Sequence, residues 1–236
     1  MKKHIALFGF IVASITACTN NSSKNNNTTI SGEIKGLKQG TLYIQQVKDS
    51  TLVTLDSIVL KGSSAFKSII SLDEPEVLYL GLNRGKTATL DNHLLFFAEP
   101  GEVKINSVLD NFSNGADIKG STNHDLYTKY LKAKSVIMNN QTDLIRKMLV
   151  AQQSKLNKKA DSLNIIINKG TNRAYFNAVN FALKNNTHEV APYIALTDVA
   201  TVNSKYLDTI YNSLPENIAK SKYGVILKNH LDLIKK

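Results

Sequence analysis

The chain has 236 residues with 29 Lys and Arg against 19 Asp and Glu, a formal charge of +10, one cysteine and no tryptophan. A length of this order carries one large or two small domains with a real core. A single cysteine excludes an internal disulfide and a dithiol redox centre within one chain.

Met1-Lys2-Lys3-His4 precedes an apolar stretch from Ile5 to Ala17, broken by Gly9, Ser14 and Thr16. A basic start followed by a short apolar run reads as a secretory signal peptide over residues 1–17. The run falls short of the about 20 apolar residues that span a bilayer as a helix. Ile15-Thr16-Ala17-Cys18 then resembles the lipobox of bacterial lipoproteins. That resemblance implies a diacylglycerol thioether on Cys18 after cleavage before it. Thr19 in place of Asp favours delivery to the outer membrane, facing the periplasm. Residues 19–29, TNNSSKNNNTT, contain no apolar side chain, so residues 18–29 are expected to form a lipidated, flexible tether reaching roughly 18 Å.

From Ile30 the pattern alternates with period two, and a β-rich module is expected over residues 30–120. The segments TISGEIKG, TLYIQQV, LVTLDSIVL, SAFKSIISL, EVLYLGL, HLLFFAE and EVKINSV are successive strands. Glu99-Pro100-Gly101-Glu102 has the Pro and Gly of a type II turn. Seven short strands with turn chemistry between them predict an antiparallel sandwich-like or barrel-like sheet. Four Asp-Ser or Asp-Thr steps, at Ser50, Ser57, Ser162 and Thr209, resemble acceptors of a bacterial envelope O-glycosylation system.

After Gly120 the period becomes helical, and a helical domain is expected over residues 121–236. Ser121 or Thr122 caps a first helix whose apolar series runs from Leu126 through Ile145 and Leu156 to Ile167, ending at Lys169-Gly170. Helices are expected at Asn172–Leu183, Glu189–Val199, Ser204–Ser213 and Pro215–Lys236. Strands followed by helices make the chain α+β.

Between Lys129 and Arg173 stand ten basic residues against Asp143 and Asp161. This segment carries the whole charge excess of the chain after signal cleavage. Its Lys129, Lys132, Arg146, Lys147, Lys155, Lys158 and Lys159 are candidate contacts to an anionic surface. Nucleic acid is not expected outside the cytoplasm, and lysine outnumbers the arginine favoured for bidentate phosphate recognition.

The order of ISGEIKGL, LDSIVLKGSSAF, LDEPEVLYL, FFAEPGEVKI and IKGSTNHDLYTKYL resembles the uncharacterised N-terminal module, a domain of unknown function of the DUF4369 type, of envelope thiol-disulfide oxidoreductase lipoproteins. In those relatives a thioredoxin-like domain with a Trp-Cys-x-x-Cys-type site follows. Here the sequence ends at Lys235-Lys236 without a second cysteine.

Other chemistry is not indicated. His93, His124, His188 and His230 lack the spacing that puts two imidazoles on one helix face, and no nucleophile elbow or phosphate-binding glycine loop is present. Asp73-Glu74 and Glu99 with Glu102 flank turns and are expected to be solvated. No catalytic residue, metal or cofactor is assigned. The expectation is a noncatalytic, lipid-anchored envelope lipoprotein that binds or scaffolds an envelope protein partner. The alternatives are an accessory to a separate thiol-disulfide oxidoreductase system and a hydrolase with a noncontiguous site.

Overall fold

Alternating apolar side chains build two four-stranded sheets whose inner faces meet. The computed structural model describes residues 27–84, 92–200 and 204–235. Cys18, the signal segment and residues 19–26 lie outside the described residues. The strands are β1 (Asn27–Lys35), β2 (Gln39–Lys48), β3 (Thr51–Lys61), β4 (Ala65–Ser71), β5 (Glu76–Asn83), β6 (His93–Ala98), β7 (Gly101–Val108) and β8 (Asp117–Lys119). One sheet runs β4-β1-β7-β8 and the other β3-β2-β5-β6. The first core lies between them, with Ile30, Ile34, Phe66, Val103 and Ile105 facing Leu42, Ile44, Leu78, Leu80 and Phe96.

Three features depart from expectation. Asn27–Thr29, assigned to the tether, begin β1, and the Thr28 side chain is fully buried, its hydroxyl donating to the Glu99 carbonyl oxygen at 3.2 Å. β1 and β7 pair in parallel while the other ladders are antiparallel. The short β8 adds an eighth strand to that sheet, pairing with β7.

β5 and β6 differ from the other strands in being buried on both faces. Consecutive residues Phe96 and Phe97 point to opposite sides, as strand geometry requires, and each enters a different core. On the outer side Val77 and Phe97 pack against helices, making a third layer.

The helices are α1 (Thr122–Gln153), α2 (Asn157–Lys184), α3 (Val190–Ile194), a π-helical turn (Ala195–Val199), α4 (Ser204–Ser213), α5 (Glu216–Ala219) and α6 (Lys222–Ile234). Gly120, with φ +95°, turns the chain from β8 into α1; a Cβ there would sit 2.0 Å from the Glu102 carbonyl oxygen. The architecture is thus α+β, a sandwich followed by helices. Gly170 does not end a helix: it lies inside α2, and the break expected there falls instead at 154–156.

No helix among the described residues is long and apolar enough to cross a membrane.

Candidate interaction surface

A polar clamp fixes where α1 leaves the sandwich. Ser121 caps α1, its hydroxyl accepting from the His124 backbone N–H at 3.0 Å. One carboxylate oxygen of Glu99 accepts from the Ser121 hydroxyl, the Asn123 backbone N–H and the Asn123 side-chain amide, at 2.9, 2.6 and 3.0 Å. Glu99 is therefore a half-buried helix clamp rather than a solvated turn residue, because three donors converge on it. Glu74 is corrected in the same way: it accepts from the Lys222 N–H at the start of α6. Both are placed by turns where backbone donors of a helix N-terminus need acceptors.

Aromatic packing holds the helices to β5–β6. Phe97 meets Tyr127, Tyr193 and Tyr223 edge-on at centroid distances of 5.8, 5.2 and 6.2 Å. The Tyr223 hydroxyl accepts from the buried Val77 N–H at 2.8 Å, just past Leu78, where pairing of β5 with β2 stops. Tyr130 donates to Asp198 of the π-helical turn, which Lys134 also binds at 2.8 Å. Burial, and then Asp198, push the Tyr130 hydroxyl pKa well above its ordinary value.

His124 is held in this layer, its Nδ1 accepting from the Phe97 N–H at 3.4 Å. Burial pushes its pKa below the ordinary histidine value, and nearby Asp125 offsets this in part. The unfolded chain therefore binds the proton more readily. The contribution of His124 to stability is present in full above pH about 6.5 and is lost as pH falls from there through the lowered folded pKa. We expect the urea midpoint of the wild-type protein to drop between pH 7 and pH 5, and His124→Gln to drop less. Parallel midpoints would remove His124 from the acid response.

Beyond this base α1 and α2 run on as an antiparallel arm. None of residues 131–174 belongs to either hydrophobic core, and within them only Gln141, Ala151 and Ala160 are buried. The two helices touch along a thin seam. Gln141 donates to the Ile167 carbonyl at 2.7 Å and to the Thr171 hydroxyl at 3.1 Å. Gly170 makes room for it, since a Cβ there would lie 2.4 Å from Gln141 Oε1. At 1.5 Å per residue the arm extends roughly 27 Å from Ser135 to Gln153.

The tip turns on a Schellman motif. Leu156 N–H reaches the Ala151 carbonyl at 2.9 Å and Lys155 N–H the Gln152 carbonyl at 3.0 Å. Lys155 occupies the left-handed position, φ +57°, where glycine is the usual residue. A side chain there costs about 1 kcal/mol. Lys158 and Lys159 fall in the first turn of α2, which contains no acidic residue. Cations at that end oppose the helix dipole by about 0.3–1 kcal/mol each. The tip thus holds three lysines at positions that reduce folding stability.

Of the seven candidate basic contacts, the fold gathers Arg146, Lys147, Lys155, Lys158 and Lys159 at the tip. Lys129 and Lys132 are left near the base, the latter roughly 21 Å from Arg146 along α1. Asp143 pairs with both Arg146 and Lys147. The sequence reading missed that Leu149, Val150 and Leu156 lie among these cations, 50%, 57% and 51% exposed. The helical spacing places Leu149 and Leu156 on one apolar helix side with the lysines on the other faces. The four glycosylation candidates are all exposed: Ser50 in the β2–β3 turn, Ser57 on β3, Ser162 on α2 and Thr209 on α4. Ser162 and Thr209 spend their hydroxyls on carbonyls four residues back. No group of three or more His, Cys, Asp or Glu among the described residues is placed to hold a metal ion.

No curated protein matches this chain. Residues 28–127, which run from the start of β1 to the second turn of α1, match the family described as a domain of unknown function, DUF4369.

Proposed function

We propose that the chain is a lipid-anchored envelope lipoprotein, noncatalytic, in which the sandwich is a platform and the α1–α2 arm is the binding element. The observation that carries this reading is the arm itself: residues 135–174 leave both cores and present apolar and basic side chains without cover from the body. Its place supports the same reading. β1 starts beside Glu99, and Glu99 clamps the start of α1, so the expected tether and the arm emerge at one end of the sandwich. The acylated Cys18 would hold that end close to the bilayer. The module resembles the kind that precedes thioredoxin-like domains in envelope oxidoreductases, and the one cysteine of this sequence is the expected lipid attachment site.

The test is metabolic labelling with a clickable fatty acid. The wild-type chain should incorporate it and Cys18→Ser should not, and the purified mature protein should leave insulin disulfides unreduced above the buffer rate. Label retained in Cys18→Ser would overturn the anchor. Dithiol turnover by the pure protein would overturn the noncatalytic assignment.

A further inference from the structure

We propose that the tip of the α1–α2 arm docks onto an anionic bilayer surface. Leu149, Val150 and Leu156 enter the boundary between headgroups and acyl chains, and Arg146, Lys147, Lys155, Lys158 and Lys159 ring them against the headgroups. The proposal rests on the membrane placement proposed above, and it goes further in naming the surface that the arm meets.

Three observations converge. First, three large apolar side chains stand about half exposed at the end of the arm, Leu156 in the turn and Leu149 and Val150 in the last two turns of α1, with Val150 and Leu156 lining one shallow cleft beside Arg146, Lys147 and Lys159. Second, five cations surround them, and the one nearby acid that pairs with any of them, Asp143, engages only Arg146 and Lys147. A long lysine lays its methylenes along apolar surface while its ammonium reaches a headgroup, which suits this mixture. Third, Lys155 sits at a left-handed position and Lys158 and Lys159 at the wrong end of a helix dipole. These lysines are ill placed for folding, so their use is sought outside the fold. A second copy is a poor occupant, because two tips of the same positive charge repel.

The absence of tryptophan gives a clean reporter. Leu156→Trp and, separately, Leu149→Trp are made in the full chain and reconstituted into zwitterionic vesicles and into vesicles containing anionic phospholipid. Val59→Trp, at an exposed site on β3, serves as control. Both tip reporters should shift to the blue and be quenched by brominated acyl chains in anionic vesicles alone, and added salt should reverse this, while the control stays solvent-exposed. Each lysine near such a surface contributes roughly a fivefold factor, so Lys155, Lys158 and Lys159 changed together to Gln should weaken docking roughly a hundredfold. Lys155→Gly should unfold at higher urea yet dock about fivefold more weakly. Unshifted emission in anionic vesicles, or an equal shift in zwitterionic ones, overturns the proposal. A shift with polyglutamate and none with vesicles overturns it in favour of an acidic polypeptide. Vesicle incorporation requires only that the chain reach the bilayer. A flat tip reporter therefore leaves the Cys18 anchor standing, and loss of acylation leaves the docking result readable.

Discussion

Phe97→Ala should lower the stability of the protein by about 3–5 kcal/mol, the range for truncating a buried aromatic ring. Phe97 is fully buried although it stands on a sheet, because three tyrosines of the helical layer close over it. Edge-on pairs of this kind each add about 0.5–1.5 kcal/mol beyond burial, so the loss should fall in the upper part of that range. At roughly 2–4 °C per kcal/mol for a chain of this size, the melting temperature should fall by about 10 °C. The comparison that gives this meaning is Phe96→Ala. Phe96 is equally buried but belongs to the sandwich core. Truncation at Phe97 should loosen the helical layer first, seen as loss of tyrosine near-ultraviolet dichroism before strand signal, and truncation at Phe96 should reverse that order. A Phe97→Ala loss below 1 kcal/mol would contradict the docking of helices on β5–β6.

The same two residues show how far the sequence could be read. Period-two alternation marks a strand with one buried face, and all seven segments read as strands from Ile30 onward are strands, β1 to β7. In VLYLGL and LLFFA the alternation fails, since both faces are buried, and that failure is itself the sign of a third layer. The parallel pairing of β1 with β7 could not be seen, because register and direction depend on partners distant in the chain. The turn at 154–156 was missed for a local reason: the signal of a helix end is glycine, and here Lys155 takes the glycine position. Gly170 misled in the opposite sense, being small for the sake of Gln141 rather than for a turn. The basic residues of the candidate surface were visible as composition. Their division into a tip cluster and two residues at the base, and the apolar side chains among them, required the hairpin.

Asn123→Leu should cost about 3 kcal/mol, because this one polar side chain bonds groups on both sides of the arm's base. Asn123 is 2% exposed. Its amide donates to Glu99 and to Glu189, and its Oδ1 accepts from the buried Val190 N–H at 2.8 Å. Leucine keeps the branched outline, puts bulkier methyls where the amide stood and strands these groups, and each buried polar group left without a partner costs about 1–3 kcal/mol. The carboxylate variant separates polarity from charge. Asn123→Asp can still accept from Val190, but it sets a third carboxylate between Glu99 and Glu189, which raises the pKa of the introduced group. Its penalty is therefore largest where that group is ionised, and is relieved as pH falls and the group takes up a proton. Relative to wild type, Asn123→Asp should recover stability between pH 7 and pH 4, read as converging urea midpoints, while the Asn123→Leu deficit stays nearly constant. If the two variants instead keep the same offset at every pH, the junction is held by shape alone, and the polar clamp does not set the direction in which the arm leaves the sandwich.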